Sequence, residues 1–344
     1  MTRTPLATTG LVATSVLVLI SAGWVSMALW FQLPMATAAR LLGAVLWSAM
    51  ATLVVFVMWQ RNSGVAVVSY AAALGLVVLW WSSIQPLQHR VWADDVARQF
   101  TARVDGGTVT MENVRNFEWR SDSDYTPRWE IRQYDLDTLR SVDVAASYWT
   151  GPLIAHTLVS FGFKDGRFLT FSIEIRRERD ETFSSVGGFF KKFETVLVAA
   201  DERDILRVRS NVRGEDVYMY RVQLTRAKMR SLFLAYLDEA LALVQTPRFY
   251  NTLTANCTTI VYELARSVLP TLPLDYRLLA SGYLPEYLHD VGGLAPGYSM
   301  EALRSGGRIT LRAQAADDQG AMAFSAAIRD GLPGANLARF RPAK

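Results

Sequence analysis

The chain has 344 residues, 51% of them hydrophobic, with three histidines and a formal net charge of +4. This composition excludes a disordered chain and argues against an ordinary cytosolic enzyme. Residues 1–89 hold no Asp, Glu or Lys and only Arg3, Arg40 and Arg61, so 33 basic and all 32 acidic residues lie in the remaining 255; a remainder so close to neutral, without a recognition motif, argues against a nucleic-acid partner.

Three uncharged runs, 11–31, 41–59 and 65–84, each approach the ~20 apolar residues that a helix needs to cross a bilayer core. They predict three transmembrane helices within an anchor of residues 1–89. The first run exceeds the ~7–15 apolar residues of a secretory signal, and two more runs follow it. Trp30, Trp59, Trp80 and Trp81 fall near span ends, where amphipathic rings favour the lipid–water boundary. Arg3 and Arg61 fall on one side and Arg40 and Arg90 on the other, so positive charge does not orient the spans. Three spans place the termini on opposite sides, and a cytoplasmic N-terminus puts residues 90–344 in the periplasm.

Residues 107–136 alternate polar and apolar as half-buried strands do. Leu153–Phe163 and Arg167–Arg176 form the clearest strand pair, and further β-rich stretches run over Glu194–Ala199, Asp204–Arg209 and Val217–Val222. Leu224–Val244 has apolar residues at helical spacing, and a second helix is expected from Asn256 to about Val268, before Pro270. Residues 270–344 read as a loop-rich tail with short helices. The soluble part is therefore of the α+β class.

Lys164-Asp165-Gly166 has the make-up of a three-residue hairpin loop, with Gly166 at its left-handed position. That loop sets Phe163 opposite Arg167 and His156 opposite Glu174. In this register Leu153, Ala155, Val159, Phe161, Phe163, Leu169, Phe171, Ile173 and Ile175 share one face with only Thr157 and Arg167 as polar members, and a one-residue slip would destroy the segregation. Opposed side chains have Cβ atoms ~4.5–5.5 Å apart, within reach of an imidazole–carboxylate hydrogen bond.

Cys257 is the only cysteine, so no internal disulfide can form. Composition alone reads it as a small buried hydrophobe. Its setting, Thr254-Ala255-Asn256-Cys257-Thr258-Thr259, points elsewhere: with Thr254 or Asn256 as cap, Cys257 falls in the first turn of a helix, where unpaired N–H groups stabilise a thiolate and can donate to a developing oxyanion. Asn256 and Thr258 are the candidates for that oxyanion site. Cysteine nucleophile, His156 base and Glu174 as the carboxylate that orients the base fill the three roles of an acyl-transfer triad. The chain order His, Glu, Cys is that of circularly permuted relatives of papain-like proteases. Neither histidine spacing nor a phosphate-binding glycine motif calls for a metal or a cofactor.

The blocks NVRNF (113–117), YTPRWEIRQYDL (125–136), YWTGPLIAHTLVSFGF (148–163), FSIEIRRE (171–178), ERDILRVRSNVR (202–213) and RFYNTLTANCTT (248–259) resemble the N-terminal periplasmic domain of the Lnb-type lipoprotein N-acyltransferases, over roughly Trp92–Ile328. The resemblance implies a permuted papain-like (NlpC/P60-like) antiparallel sheet with packed helices, and an envelope thiol enzyme in which Cys257 matches the nucleophile, His156 the base and Glu174 the following carboxylate. It implies acyl transfer from a membrane phospholipid to a lipoprotein or other envelope acceptor, at the bacterial inner membrane. Arg115, Arg128 and Arg132, with Arg120, are candidates for contacts to lipid phosphates. Two alternatives remain from the residues: a cell-envelope cysteine peptidase or amidase with the same triad, and a non-catalytic membrane-tethered binding module in which Cys257 only packs. The sequence carries no signal for an oligomeric state.

Overall fold

The computed structural model describes residues 4–61 and 64–335; Arg3 of the charge argument and the end of the 270–344 tail lie outside them. The described residues form two compact units, one of the residues up to Leu87 together with Phe183–Phe193, the other of Gln88–Thr182 and the residues from Glu194 on.

In the first unit three helices are long and apolar enough to cross a membrane: α1 Pro5–Gln32, α2 Thr37–Arg61 and α3 Gly64–Ser83. Pro5 suits the first turn of α1, where its missing N–H costs nothing, and the Thr4 hydroxyl caps the N–H of Ala7. Hydroxyls tie the helices together, Ser21 to Tyr70 and Ser26 to Ser48, each at 2.9 Å. The 183–193 segment belongs to this unit through its backbone and rings. Gln32 Nε2 donates to the carbonyls of Phe190 and Lys191, and Lys191 Nζ donates to those of Trp81 and Ile84. Phe190 stacks on Phe31 and meets the edge of Trp81.

The second unit is built on an eight-stranded sheet. Its strands are β1 Thr101–Asp105, β2 Thr108–Arg115, β5 Trp129–Asp135, β6 Leu139–Tyr148, β7 His156–Phe163, β8 Phe168–Arg176, β9 Glu194–Ala200 and β10 Asp216–Val222, in the order β1-β2-β9-β8-β7-β6-β10 with β5 on β2. Two short strands, β3 Glu118–Trp119 and β4 Tyr125–Thr126, pair separately. The sheet is mixed rather than wholly antiparallel, because β2 meets β9 in parallel at Arg115 and Ala200. The β7–β8 hairpin has the register expected from its turn: Leu158 faces Ser172 and Phe161 faces Leu169, around a Gly166 with φ +85°.

One face of the sheet carries Val144, Val159, Phe161, Phe171 and Ile173 and is covered by α5 Arg226–Gln245, α6 Thr259–Val268 and α7 Leu284–Asp290, with Phe233 and Tyr236 against Phe161 and Phe171. The other face is also covered. Ala145, Leu158, Val196 and Val198 pack there against Ile205 of α4 Glu202–Ile205 and against Ile309, Ala313, Phe324 and Ile328, which flank or belong to α9 Thr310–Ala315 and α10 Ala321–Ala327. Helix α8 Met300–Gly307 lies against β10. The short helices expected after residue 270 thus close a second core.

Three expectations are corrected. Asp204–Arg209 is not a strand: Asp201 caps the N–H of Arg203 to start α4, and a π-helical turn follows at Val208–Val212. Leu153 is 57% exposed, because β7 begins only at His156. Strand β6 is additional, and nearly all its residues are buried; a strand covered on both faces loses the alternation that marks half-buried strands.

Candidate active site

Two elements bring the site together. His156 opens β7, and Cys257 lies two residues ahead of α6 rather than inside its first turn. The cause is Asn256, whose side-chain oxygen accepts from the N–H groups of Thr258 and Thr259 at 2.8 and 2.9 Å, while its amide donates to the Thr252 carbonyl. Asn256 Oδ1 is therefore spent as a cap, and the Thr258 N–H is spent on it rather than left to bind an oxyanion. The Thr258 side chain has a different part, since its hydroxyl lies 3.0 Å from that of Thr157 and 3.9 Å from Cys257 Sγ.

His156 Nε2 lies 2.7 Å from Ser172 Oγ and 3.2 Å from Glu174 Oε1. Ser172 donates to Glu174, and Arg209 Nη2 reaches the same carboxylate oxygen at 2.9 Å. With Nε2 engaged by this group, Nδ1 is the ring nitrogen that remains for Cys257.

Burial and the nearby Arg209 guanidinium both disfavour a charged His156, but the Glu174 carboxylate and the hydrogen-bonded Cys257 outweigh them and raise its pKa to about 9. Burial opposes ionisation of Cys257, yet the His156 charge and hydrogen bond, the Thr157 N–H and the Thr258 hydroxyl bring its pKa below the ordinary thiol value. Burial likewise resists ionisation of Glu174, and His156 and Arg209 nonetheless hold it well below the carboxylate range. The arrangement favours a thiolate beside an imidazolium, and thiolate is the nucleophilic form of cysteine.

Tyr250, Ser172 and Arg209 had no assigned role in the sequence reading. Asn251 and Ala255 exchange backbone hydrogen bonds at 3.1 and 3.0 Å, and this tight loop folds Tyr250 back towards Cys257. Burial and the neighbouring thiol and carboxyl push the Tyr250 pKa up, so the phenol stays protonated. Ser172 follows from hairpin parity, two residues before Glu174. Arg209 carries no local signal beyond its place in a block of family resemblance.

The arginines do not form the expected lipid-facing group. Arg115 is buried, held by Asp204 through Nε and Nη2 at 2.8 and 3.0 Å. Arg132 is tied to Glu130 and Asp201. Arg120 pairs with Asp124, and Arg128 is exposed. Arg115 is taken up by Asp204 and Arg132 in part by Asp201, carboxylates 89 and 69 residues away.

Among known proteins, residues 125–282 match the family model described as the Lnb N-terminal periplasmic domain, a span that contains His156, Ser172, Glu174, Arg209, Tyr250 and Cys257. No curated protein and no solved structure matches the chain. The family's description, beside three helices apolar enough to cross a membrane, fits a membrane-anchored protein with a periplasmic domain. Every residue of the candidate site thus falls within the stretch that is similar to the Lnb N-terminal periplasmic domain.

Proposed function

We propose that the chain is a multi-pass protein of the bacterial inner membrane whose periplasmic unit is a thiol acyltransferase with a permuted papain-like arrangement. Its donor is a phospholipid ester and its acceptor an amine of the envelope, such as a lipoprotein N-terminus. The observation that carries this reading is the Cys257–His156 pair, poised towards thiolate and imidazolium by Ser172, Glu174 and Arg209.

In the first half-reaction the Cys257 thiolate adds to the ester carbonyl carbon. The tetrahedral intermediate collapses to a thioester, and the C–O bond breaks as His156 gives its proton to the departing lysophospholipid alcohol. In the second, the acceptor amine adds to the thioester, loses a proton to His156 and forms an amide as the C–S bond breaks. Glu174 and Ser172 hold the ring and stabilise imidazolium. The Tyr250 hydroxyl, kept protonated beside the thiol, has its own proton to donate to the oxyanion. That assigns the oxyanion role to a side chain outside α6, since Asn256 occupies the first N–H groups of that helix.

The test is intact mass of the detergent-solubilised full chain after incubation with phospholipid, with Cys257→Ala and Tyr250→Phe alongside. An acyl adduct that hydroxylamine removes, absent in Cys257→Ala and slowed in Tyr250→Phe, is expected. Absence of an adduct with a thiol no more reactive than free cysteine overturns the reading in favour of a binding module, and cleavage of peptide in place of acyl transfer replaces it with a peptidase.

A further inference from the structure

A cavity of about 300 Å³ lies between the sheet and helices α5, α6 and α7, at the lower end of the ~300–1,000 Å³ of small-molecule sites. Its inner wall includes Val144 and Val159 of β6 and β7, Tyr236 of α5 and Thr258. The exposed Lys228 and Gly292 are at its rim. Cys257 does not itself line the cavity, but its neighbour Thr258 does, with its hydroxyl 3.9 Å from Cys257 Sγ. From Thr258 onwards α6 turns Val261 and Ala265 to the same space, at the three- and four-residue steps of one helix face.

A space lined in this way repels polar ligands and accepts apolar ones, as empty apolar cavities in protein cores do. Tyr236, one of the lining residues, has a buried hydroxyl with no hydrogen-bond partner among the described residues. A buried hydroxyl left unpaired costs free energy, which a ligand oxygen or a water entering with the ligand would recover.

We infer that this cavity is the acyl-chain site, holding the hydrocarbon of the acyl group carried on Cys257 along α6 with Thr258 at its carbonyl end. The inference rests on the acyltransfer reading and adds to it the selection of a long acyl chain over a short acyl group. Each methylene moved from water into such a site strengthens binding about fourfold, so acylation of Cys257 rises with chain length until the cavity is full.

The test uses the full chain in detergent with p-nitrophenyl acetate, butyrate, octanoate and decanoate. In each case the Cys257 thiolate displaces p-nitrophenolate to leave the thioester, followed by p-nitrophenolate release and intact mass. The expected result is a second-order rate that climbs by roughly fourfold per methylene before levelling, together with a decanoate-to-acetate ratio at least 30-fold lower in Ala265→Trp. Rates indifferent to chain length, or an unchanged ratio in an Ala265→Trp protein that melts as the parent does, overturn the chain site while leaving Cys257 chemistry intact. Should acetate itself fail to acylate Cys257, the acyltransfer reading fails instead. The cavity is then judged by calorimetric binding of decanoate to Cys257→Ala, expected to be present there and lost in Cys257→Ala/Ala265→Trp. Val261→Ala, which enlarges the space without a clash, is expected to move the plateau to a longer chain, and an unmoved plateau counts against the site.

Discussion

The Ser172 hydroxyl lies 2.7 Å from His156 Nε2 and can only accept there, because its single proton goes to Glu174. The imidazole is thereby held with Nε2 protonated, which directs Nδ1 to the thiol. Hydrogen bonds involving a charged group contribute about 1.5–3 kcal/mol, so Ser172→Ala should slow acylation or alkylation of Cys257 by roughly 10- to 100-fold at neutral pH. A purely structural role would leave the pH profile in place. Loss of the relay should instead move its ascending limb to higher pH than the parent's, because a weaker imidazolium holds the thiolate less well, measured by iodoacetamide rates from pH 5 to 10.

The parent profile itself follows from the two shifts. Cys257 ionises below the ordinary thiol range, so alkylation should persist at pH values where free cysteine, with a pKa near 8.5, is almost silent. Steps that need imidazolium should fail as pH rises through about 9, where His156 loses its proton. The same groups act on stability. His156, with its pKa raised, stabilises the fold fully below its unfolded value and loses that contribution as pH rises through about 9; Glu174, with its pKa lowered, contributes above its unfolded value and loses it as pH falls through the folded one. A single ascending alkylation limb centred on an ordinary thiol pKa would contradict the ion pair.

Arg115 is a stability residue. Asp204 accepts from Arg115 at two atoms, from the Phe117 N–H at 2.8 Å and from Trp119 Nε1 at 2.7 Å. Removing one partner of such a buried pair leaves an uncompensated charge and costs about 3–5 kcal/mol. Arg115→Ala should therefore lower the midpoint of urea unfolding of the soluble unit, while binding to anionic vesicles stays that of the parent. Weakened vesicle binding with unchanged unfolding would restore the lipid-contact role.

Gly282 positions the chain that leads into His156. Its N–H donates to the Leu153 carbonyl at 3.0 Å, its carbonyl accepts from the Tyr148 hydroxyl at 2.6 Å, and a Cβ there would collide with the Pro152 carbonyl. The adjacent Ser281 hydroxyl accepts from the Ala155 N–H. Since the obstacle is backbone, Gly282→Ala must push residues 152–155 away, and both the melting temperature and Cys257 reactivity should fall. Gly297→Ala is the comparison: its φ of +83° carries backbone strain but no neighbour lies within 4 Å, so it should cost stability and leave thiol reactivity alone.

The β7–β8 register was readable because one glycine and a long alternation act together: Gly166 fixes the loop, and the segregation of Phe161, Phe171 and Ile173 from Ser160 and Ser172 permits one pairing. Cys257, His156 and Glu174 could be named from that register and from the residues around the cysteine. Asp204–Arg209 misled because its apolar and charged residues alternate like a strand, while the Asp201 cap that starts α4 lies just outside it. Strand β6 escaped because its neighbouring residues Val144 and Ala145 face two different cores and leave no alternation. The fates of Arg115 and Arg209 depend on carboxylates 89 and 35 residues away, a distance over which no local pattern speaks. Tyr250 needed the Asn251–Ala255 loop, whose effect is to bring together two residues seven apart.

The Phe183–Phe193 segment sits in sequence between β8 and β9, two neighbouring strands of the soluble sheet, yet its packing partners are Gln32, Phe31, Trp81 and Ile84. Deleting the first 87 residues to obtain a tractable water-soluble fragment would strip those partners from Phe190 and leave Gln32's two acceptor carbonyls to water. Such a fragment would carry a sticky internal loop that no trimming at its ends can remove. Protein engineers seeking the soluble unit should therefore replace residues 183–193 with a short polar turn as well as remove the helices, and should expect aggregation when only the helices are cut away.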